Sequence, residues 1–214
     1  RQRSVFLFAD RSPTMAFGTR RNLKATVVAQ AAAMITFAAL AEHETVAGLV
    51  LDQSLRSFCP SRILDPCLKL LQQIAAPISP SSAQVNSDFD TTLRTLDQLA
   101  AKGSTLYLLS DFHSITDERE KQLAQLTAQR QVIALQVTDP GETTLTNVGK
   151  LRMVSPLTGK IVVIDTANER LRKQYTNAMV NKQQSLKRIF NAANIPLHRL
   201  STHLDIFKQM EYVA

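Results

Sequence analysis

Three observations predict an α/β fold, doubly wound, with a mostly parallel central sheet and helices on both faces. Four apolar runs, 5–9, 45–51, 105–109 and 131–137, have the length and β-former content of buried strands. Amphipathic or apolar helical stretches separate them, the alternation that builds parallel sheets covered on two sides. Two of the runs stop at an aspartate, Asp10 and Asp111, and the carboxyl ends of such strands are where doubly wound sheets bind ligands.

The elements follow in chain order. Val5–Ala9 is a strand, and the loop after it carries Asp10, Ser12, Pro13 and Thr14 before Gly18 and Thr19. Residues 25–41 form an Ala-rich helix. Thr26, Gln30 and Thr36 interrupt it, and it falls short of a full membrane span, so it is expected to lie against the sheet. Thr45–Leu51 is the second strand. Asp52-Gln53-Ser54 turns the chain into a short edge strand over Leu55–Phe58, which Pro60 is expected to end. Ile63–Ala75 has a helical stripe, and residues 77–82 read as a loop. Phe89, Leu93, Leu96 and Leu99 set another helix, with Gly103 as its expected C-cap. Thr105–Leu109 is a strand ending at Ser110-Asp111, and Thr116 is positioned to cap the next helix. Gln131–Val137 is the fourth long strand, stopped by Asp139-Pro140-Gly141. Met153–Ser155 and Ile161–Ile164 read as a hairpin around residues 156–159. A long helix from Asn168 to about Ala193 and a short one over Leu204–Tyr212 close the chain. The 214 residues read as a single domain, with 149–214 as a C-terminal hairpin and helical extension.

Composition narrows the function classes. Charged residues are 20% and hydrophobic residues 44%, as in a globular domain. The net charge of +7 includes Arg170, Arg172, Lys173, Lys182, Lys187 and Arg188 on one helix. No basic block is long and few aromatics interleave with these residues, so a solvated face is expected and no nucleic-acid partner. Cys59 and Cys67 lack metal-site spacing and are expected to be free thiols in a reducing, cytoplasmic setting. The sequence has no phosphate-binding glycine loop and no nucleophile elbow, and His113 has no triad partner. Enzyme activity is therefore not expected.

A carboxylate at a strand end followed by hydroxyls offers hard oxygen donors, the chemistry that suits Mg²⁺. If the strands ending at Asp10 and Asp111 are neighbours, Asp10, Ser12, Thr14 and Asp111 converge. Asp10-x-Ser12-x-Thr14 resembles the metal-ion-dependent adhesion site of von Willebrand factor A domains, usually Asp-x-Ser-x-Ser. In that pattern a Thr opens a later helix, two residues before an apolar residue. Ser87 with Phe89 fits this register, although Ser87 can equally be an ordinary helix cap.

Four further features run along the chain: RQRSVFLFAD, the run Asp10-Arg11-Ser12-Pro13-Thr14-Met15-Ala16-Phe17-Gly18, the strand end Leu109-Ser110-Asp111, and Asp139-Pro140-x-Glu142. Through them the whole chain resembles, more narrowly, the bacterial domain-of-unknown-function family fifty-eight. The chain departs from the pattern with Thr14 for Ser, Ser87 for Thr, and Pro13 in the loop. The resemblance implies a von Willebrand factor A-like fold. It implies Mg²⁺ or Mn²⁺ bound weakly at Asp10, Ser12, Thr14, Ser87 and Asp111, with a partner's Asp or Glu completing the shell. It further implies a protein-interaction module working with a MoxR-type AAA+ ATPase in complex assembly or maturation. Family members usually carry a further N-terminal region, often with membrane helices. This chain starts at the first strand, so a fragment of a membrane-anchored protein is one expectation. The alternatives left open are a metal-dependent phosphoesterase and a metal-independent interaction domain.

Overall fold

The computed structural model describes residues 3–78, 89–154, 160–211 and 213. Its centre is a six-stranded sheet in the order β3-β2-β1-β4-β5-β8. These strands are β1 (Ser4–Asp10), β2 (Thr45–Leu51), β3 (Leu55–Ser61), β4 (Thr105–Ser110), β5 (Gln131–Thr138) and β8 (Leu197–Ser201). Every pairing is parallel except that of β3 with β2. A separate antiparallel pair joins β6 (Lys150–Val154) to β7 (Ile161–Asp165). Residues 156–159, the expected turn of this hairpin, lie outside the described residues.

The unbroken apolar runs have the burial such runs imply. In β1 the six residues after Ser4 are all buried, because both faces of a central parallel strand are covered. One face packs Leu7, Ala9, Val46 and Val50 against α1 (Lys24–Ala41), α2 (Leu64–Ala75) and α7 (Ile206–Met210). The other packs Phe6, Phe8, Leu49 and Leu108 against α3 (Phe89–Leu99), α4 (Glu120–Thr127) and α6 (Glu169–Ala192). By length and composition α1 could cross a membrane. Here Val27, Val28, Ala31, Ala32 and Ile35 are buried in the layer over the sheet, and their small side chains let the helix lie close to it.

Several boundaries differ from expectation for identifiable reasons. β3 runs through Pro60 to Ser61, because an edge strand with an irregular register tolerates a missing N–H. α3 stops at Leu99, and Gly103 lies four residues further on, in the turn into β4, at φ +78°. Thr116 makes no side-chain capping bond. A 3-10 turn at Asp117–Arg119 precedes α4. The short final helix is capped by Asp205 and runs over Ile206–Met210. β8 is a strand the sequence pattern does not reveal. It brings the C-terminal region into the main sheet, and α6 covers the adjoining face. Both cysteines are free thiols, Cys59 exposed and Cys67 buried.

Candidate functional site

The strand order places the reversal point between β1 and β4. From β1 the sheet grows toward β2 on one side and toward β4 on the other, and Ala9 is paired with Leu109. Asp10 and Asp111 therefore leave adjacent parallel strands at the same end of the sheet, the position where α/β sheets open a crevice.

The loop after β1 is fixed before it reaches the site. The Arg11 N–H donates to the Leu51 carbonyl at 2.7 Å. The buried Arg11 guanidinium donates to the carbonyls of Ile74 and Ala76 at the end of α2. Pro13 opens a short 3-10 turn, Pro13–Ala16, that directs Met15 into the core. Anchored in this way, Ser12 donates its backbone N–H to Asp10 Oδ1 at 2.8 Å, and its Oγ lies 3.1 Å from Thr14 Oγ1. Thr14 helps to lower the Asp111 carboxyl, and the charge of Asp111 in turn acts on Asp10. Four of the five expected ligands, Asp10, Ser12, Thr14 and Asp111, thus gather at one end of the sheet. Ser87 lies outside the described residues.

The turn after β4 is held in an unusual shape. Phe112 is buried with φ +53°, a conformation costly for a side chain of that size. Ser110 Oγ accepts the Phe112 N–H at 2.9 Å and donates to Asp10 Oδ2 at 2.5 Å. The Phe112 ring packs on Phe190 of α6 with centroids 4.8 Å apart. One hydroxyl therefore supports both the strained turn and the carboxylate of the neighbouring strand.

Lys24, the first residue of α1, is the cation of the site and was not apparent from the sequence. It is 1% exposed, and its Nζ lies 2.8 Å from Asp111 Oδ2 and 2.5 Å from Glu142 Oε1. The Phe17 ring stands 5.9 Å from the same ammonium. A buried lysine at a helix N-terminus has both its desolvation and the helix dipole against it, so such a residue requires close anions. Burial pushes the Lys24 ammonium down, but Asp111 and Glu142 outweigh it and hold its pKa above the ordinary value. The same pairing lowers the Asp111 carboxyl despite its burial. Asp10 behaves in the opposite way. Burial, then the charge of Asp111, raises its pKa, and the bonds from Ser110 and Ser12 only partly offset them.

Glu142 belongs to α5 (Pro140–Thr143), a single turn closed by a capping box. Its Oε2 accepts the Asp139 N–H at 3.3 Å, while Asp139 Oδ1 accepts the Gly141 N–H at 2.8 Å. A Cβ on Gly141 would come within 2.4 Å of Thr19 Cγ2, so glycine permits the loops after β1 and β5 to touch. Beside Asp111 a cleft of about 710 Å³ opens between α6 and the ends of β4 and β5. Phe112, Val137, Met179 and Leu186 give it apolar walls, and Lys182 and Arg199 add positive charge.

The oxygen donors and charges of this cluster fit a hard divalent cation. Asp10 and Asp111 bring two carboxylates and Ser12 and Thr14 two hydroxyls to one end of the sheet, while Lys24 is paired with Asp111 and Glu142. Asp10 receives only neutral donors. The six-stranded, mostly parallel sheet with helices on both faces is a von Willebrand factor A-like fold. The solved structure of a von Willebrand factor type A protein from Catenulispora acidiphila matches with a TM-score of 0.51 at 10% identity, over 99% of this chain and 41% of that one. An aerotolerance-related membrane protein from Bacteroides fragilis matches with a TM-score of 0.62 at 12% identity, over 99% and 96% of the two chains. The chain belongs to the family described as Protein of unknown function DUF58, which matches residues 1–185. The Uncharacterized protein Rv1480 of Mycobacterium tuberculosis is 23% identical over 207 residues, 96% of this chain. The chain spans 64% of that relative's length.

Proposed function

We propose that this domain is a divalent-metal-dependent protein-interaction module whose docking face is the β1/β4 end of the sheet. The observation that carries this reading is the convergence of Asp10, Ser12, Thr14 and Asp111 at the strand-order reversal, where Asp10 has neutral donors and, among the described residues, no cation against it. These residues, with Ser87, would hold Mg²⁺ or Mn²⁺, with water between the ion and one or both carboxylates. A bound ion would offer a coordination position to an Asp or Glu of the partner. The neighbouring cleft, apolar with Lys182 and Arg199 at hand, suits an apolar residue next to that acid. A MoxR-type AAA+ ATPase, with a role in complex assembly or maturation, is the partner proposed.

The role proposed is binding rather than catalysis. His113, the titratable group nearest Asp111 in sequence, accepts at Nδ1 from Lys182 Nζ at 2.8 Å instead of meeting a hydroxyl nucleophile. Its pKa is lowered by burial and by Lys182. A cytoplasmic setting is proposed on the strength of the free thiols.

Calorimetric titration with Mg²⁺ and Mn²⁺ tests the reading. Wild type should bind weakly, Asp10→Ala should not bind, and chelation should release a carboxylate-bearing partner. Identical titrations for the two proteins, up to millimolar metal, would leave a metal-independent interaction domain.

A further inference from the structure

We propose that Lys24 is the resident cation of the site and competes with a divalent ion for Asp111, thereby setting the metal affinity. This inference rests on the metal-binding reading above and adds the residue that controls it.

Both oxygens of Asp111 are already engaged. Oδ2 accepts from Lys24 at 2.8 Å, and Oδ1 accepts the His113 N–H at 2.9 Å. The His113 donor is part of the turn and cannot leave without unmaking it. The Lys24 donor sits at the end of a flexible stem and can leave. The ammonium also has a second anion to rest on. Glu142 Oε1 lies 2.5 Å from Nζ, on a side chain 37% exposed and fixed by its own capping box. Release of Asp111 therefore moves the ammonium from two carboxylates to one without stranding it among apolar atoms.

Charge gives the same direction. Two like charges a few ångströms apart in a partly buried site repel strongly, so an ion approaching Asp10 and Asp111 meets the Lys24 ammonium as a rival. The ammonium serves the metal-free protein as well. It neutralises an Asp111 side chain only 8% exposed, which would otherwise be a buried, unpaired charge. Lysine suits such an exchange because its charge is a compact point on a flexible stem. The domain thus keeps its shape without metal and takes up metal only weakly and reversibly, as a switchable docking face requires.

The test uses Mn²⁺ as the probe, with binding read by electron paramagnetic resonance and stability by thermal melting, on wild type, Lys24→Met, Lys24→Arg and Asp10→Ala. Lys24→Met should bind Mn²⁺ at least about tenfold more tightly than wild type. It should melt lower than wild type without metal and recover most of the loss when Mn²⁺ is added. Lys24→Arg, which keeps the charge, should bind as weakly as wild type. If Lys24→Met is unfolded without metal, folding on addition of Mn²⁺ supports the proposal, and failure to fold at millimolar Mn²⁺ overturns it. Lys24→Met binding no tighter than wild type, while Asp10→Ala abolishes wild-type binding, overturns the role of Lys24 and leaves the metal site standing. Wild-type binding that is absent, or indifferent to Asp10→Ala, overturns the metal site and this inference with it.

Discussion

Two carboxylates, Asp10 at the end of β1 and Asp139 just after β5, are buried at the same end of one sheet, yet the protein treats them in opposite ways. Asp139 is fully enclosed and saturated. Its Oδ1 accepts from the Thr19 hydroxyl at 2.5 Å and the Gly141 N–H at 2.8 Å. Its Oδ2 accepts from the Thr19 N–H at 2.9 Å and from the Thr202 hydroxyl. Burial raises the Asp139 carboxyl, but these bonds more than compensate and leave its pKa below the ordinary value. Asp10 has fewer donors and a second carboxylate beside it, and its pKa is raised. Asp139 ties together the loops after β1 and β5 and the end of β8. Among the described residues, Asp10 has two hydrogen-bond donors and no cation beside it. Enclosure alone does not mark a functional carboxylate. The informative quantity is whether the donors around it satisfy the ionised form.

The largest effect should come from Asp139. Asp139→Ala leaves two backbone N–H groups and two hydroxyls without their acceptor, and should lower stability by about 3–5 kcal/mol in urea denaturation. Asp139→Asn should lose less, since its single carbonyl oxygen still accepts. If Asp139→Ala unfolds at the wild-type urea midpoint, the structural half of the comparison is wrong.

Acid pH should separate the carboxylates next. Asp139 and Asp111 have lowered pKa values, so the stability they contribute is present above the unfolded value, near 4, and is lost as pH falls through their folded values. Asp10, with a raised pKa, has the opposite sign. Its contribution is present below the unfolded value and lost as pH rises through the folded one. Stability measured from pH 7 down to pH 3 should therefore fall less steeply in Asp139→Asn than in wild type, and more steeply in Asp10→Asn. Parallel profiles for all three proteins would count against the contrast.

A smaller loss is expected for Ser110→Ala. It removes a 2.5 Å donor to Asp10 and the acceptor of the Phe112 N–H. About 1–2 kcal/mol should be lost, and amide exchange at Phe112 should accelerate. An unchanged exchange rate there would show that Phe190 packing alone holds the turn.

How much of this was legible in the sequence depended on whether local pattern or tertiary partners decided the outcome. The strands β1, β2, β4 and β5 announced themselves as continuous apolar runs, and matched aspartates at two of their ends located the site. β8 did not, because Leu197-His198-Arg199-Leu200-Ser201 has one buried residue and becomes a strand only by pairing with β5. Lys24 stayed hidden because its meaning depends on Asp111 and Glu142, which lie 87 and 118 residues away. The available signal was a single lysine at the start of an otherwise uncharged 18-residue helix, where the dipole disfavours it. Asp139 and Glu142 were noticed through family resemblance, but their division of labour was not. Asp139 is a latch, and Glu142 is a counter-ion to Lys24. Ser110 is legible only as part of the strand end Leu109-Ser110-Asp111, since only the β1–β4 pairing brings its hydroxyl to Asp10.

The smallest predicted effect is the most diagnostic of the comparison. Asp10→Asn keeps the shape of the side chain and removes a charge that no cation in the described structure pairs directly. The amide oxygen can still accept from Ser12 or Ser110, at the cost of one of the two bonds. The relief of repulsion from Asp111 and of burying a charge should balance or slightly exceed that loss. At pH 7 without metal, the variant should therefore lie within about 1 kcal/mol of wild type, on the stabilised side. The same substitution at the saturated Asp139 should destabilise. Millimolar Mn²⁺ should then reverse the order at Asp10, raising the melting temperature of wild type and leaving Asp10→Asn where it was. Destabilisation by Asp10→Asn as large as that of Asp139→Asn, with no response to Mn²⁺ in either protein, would make Asp10 a second latch and remove the asymmetry on which the docking face depends.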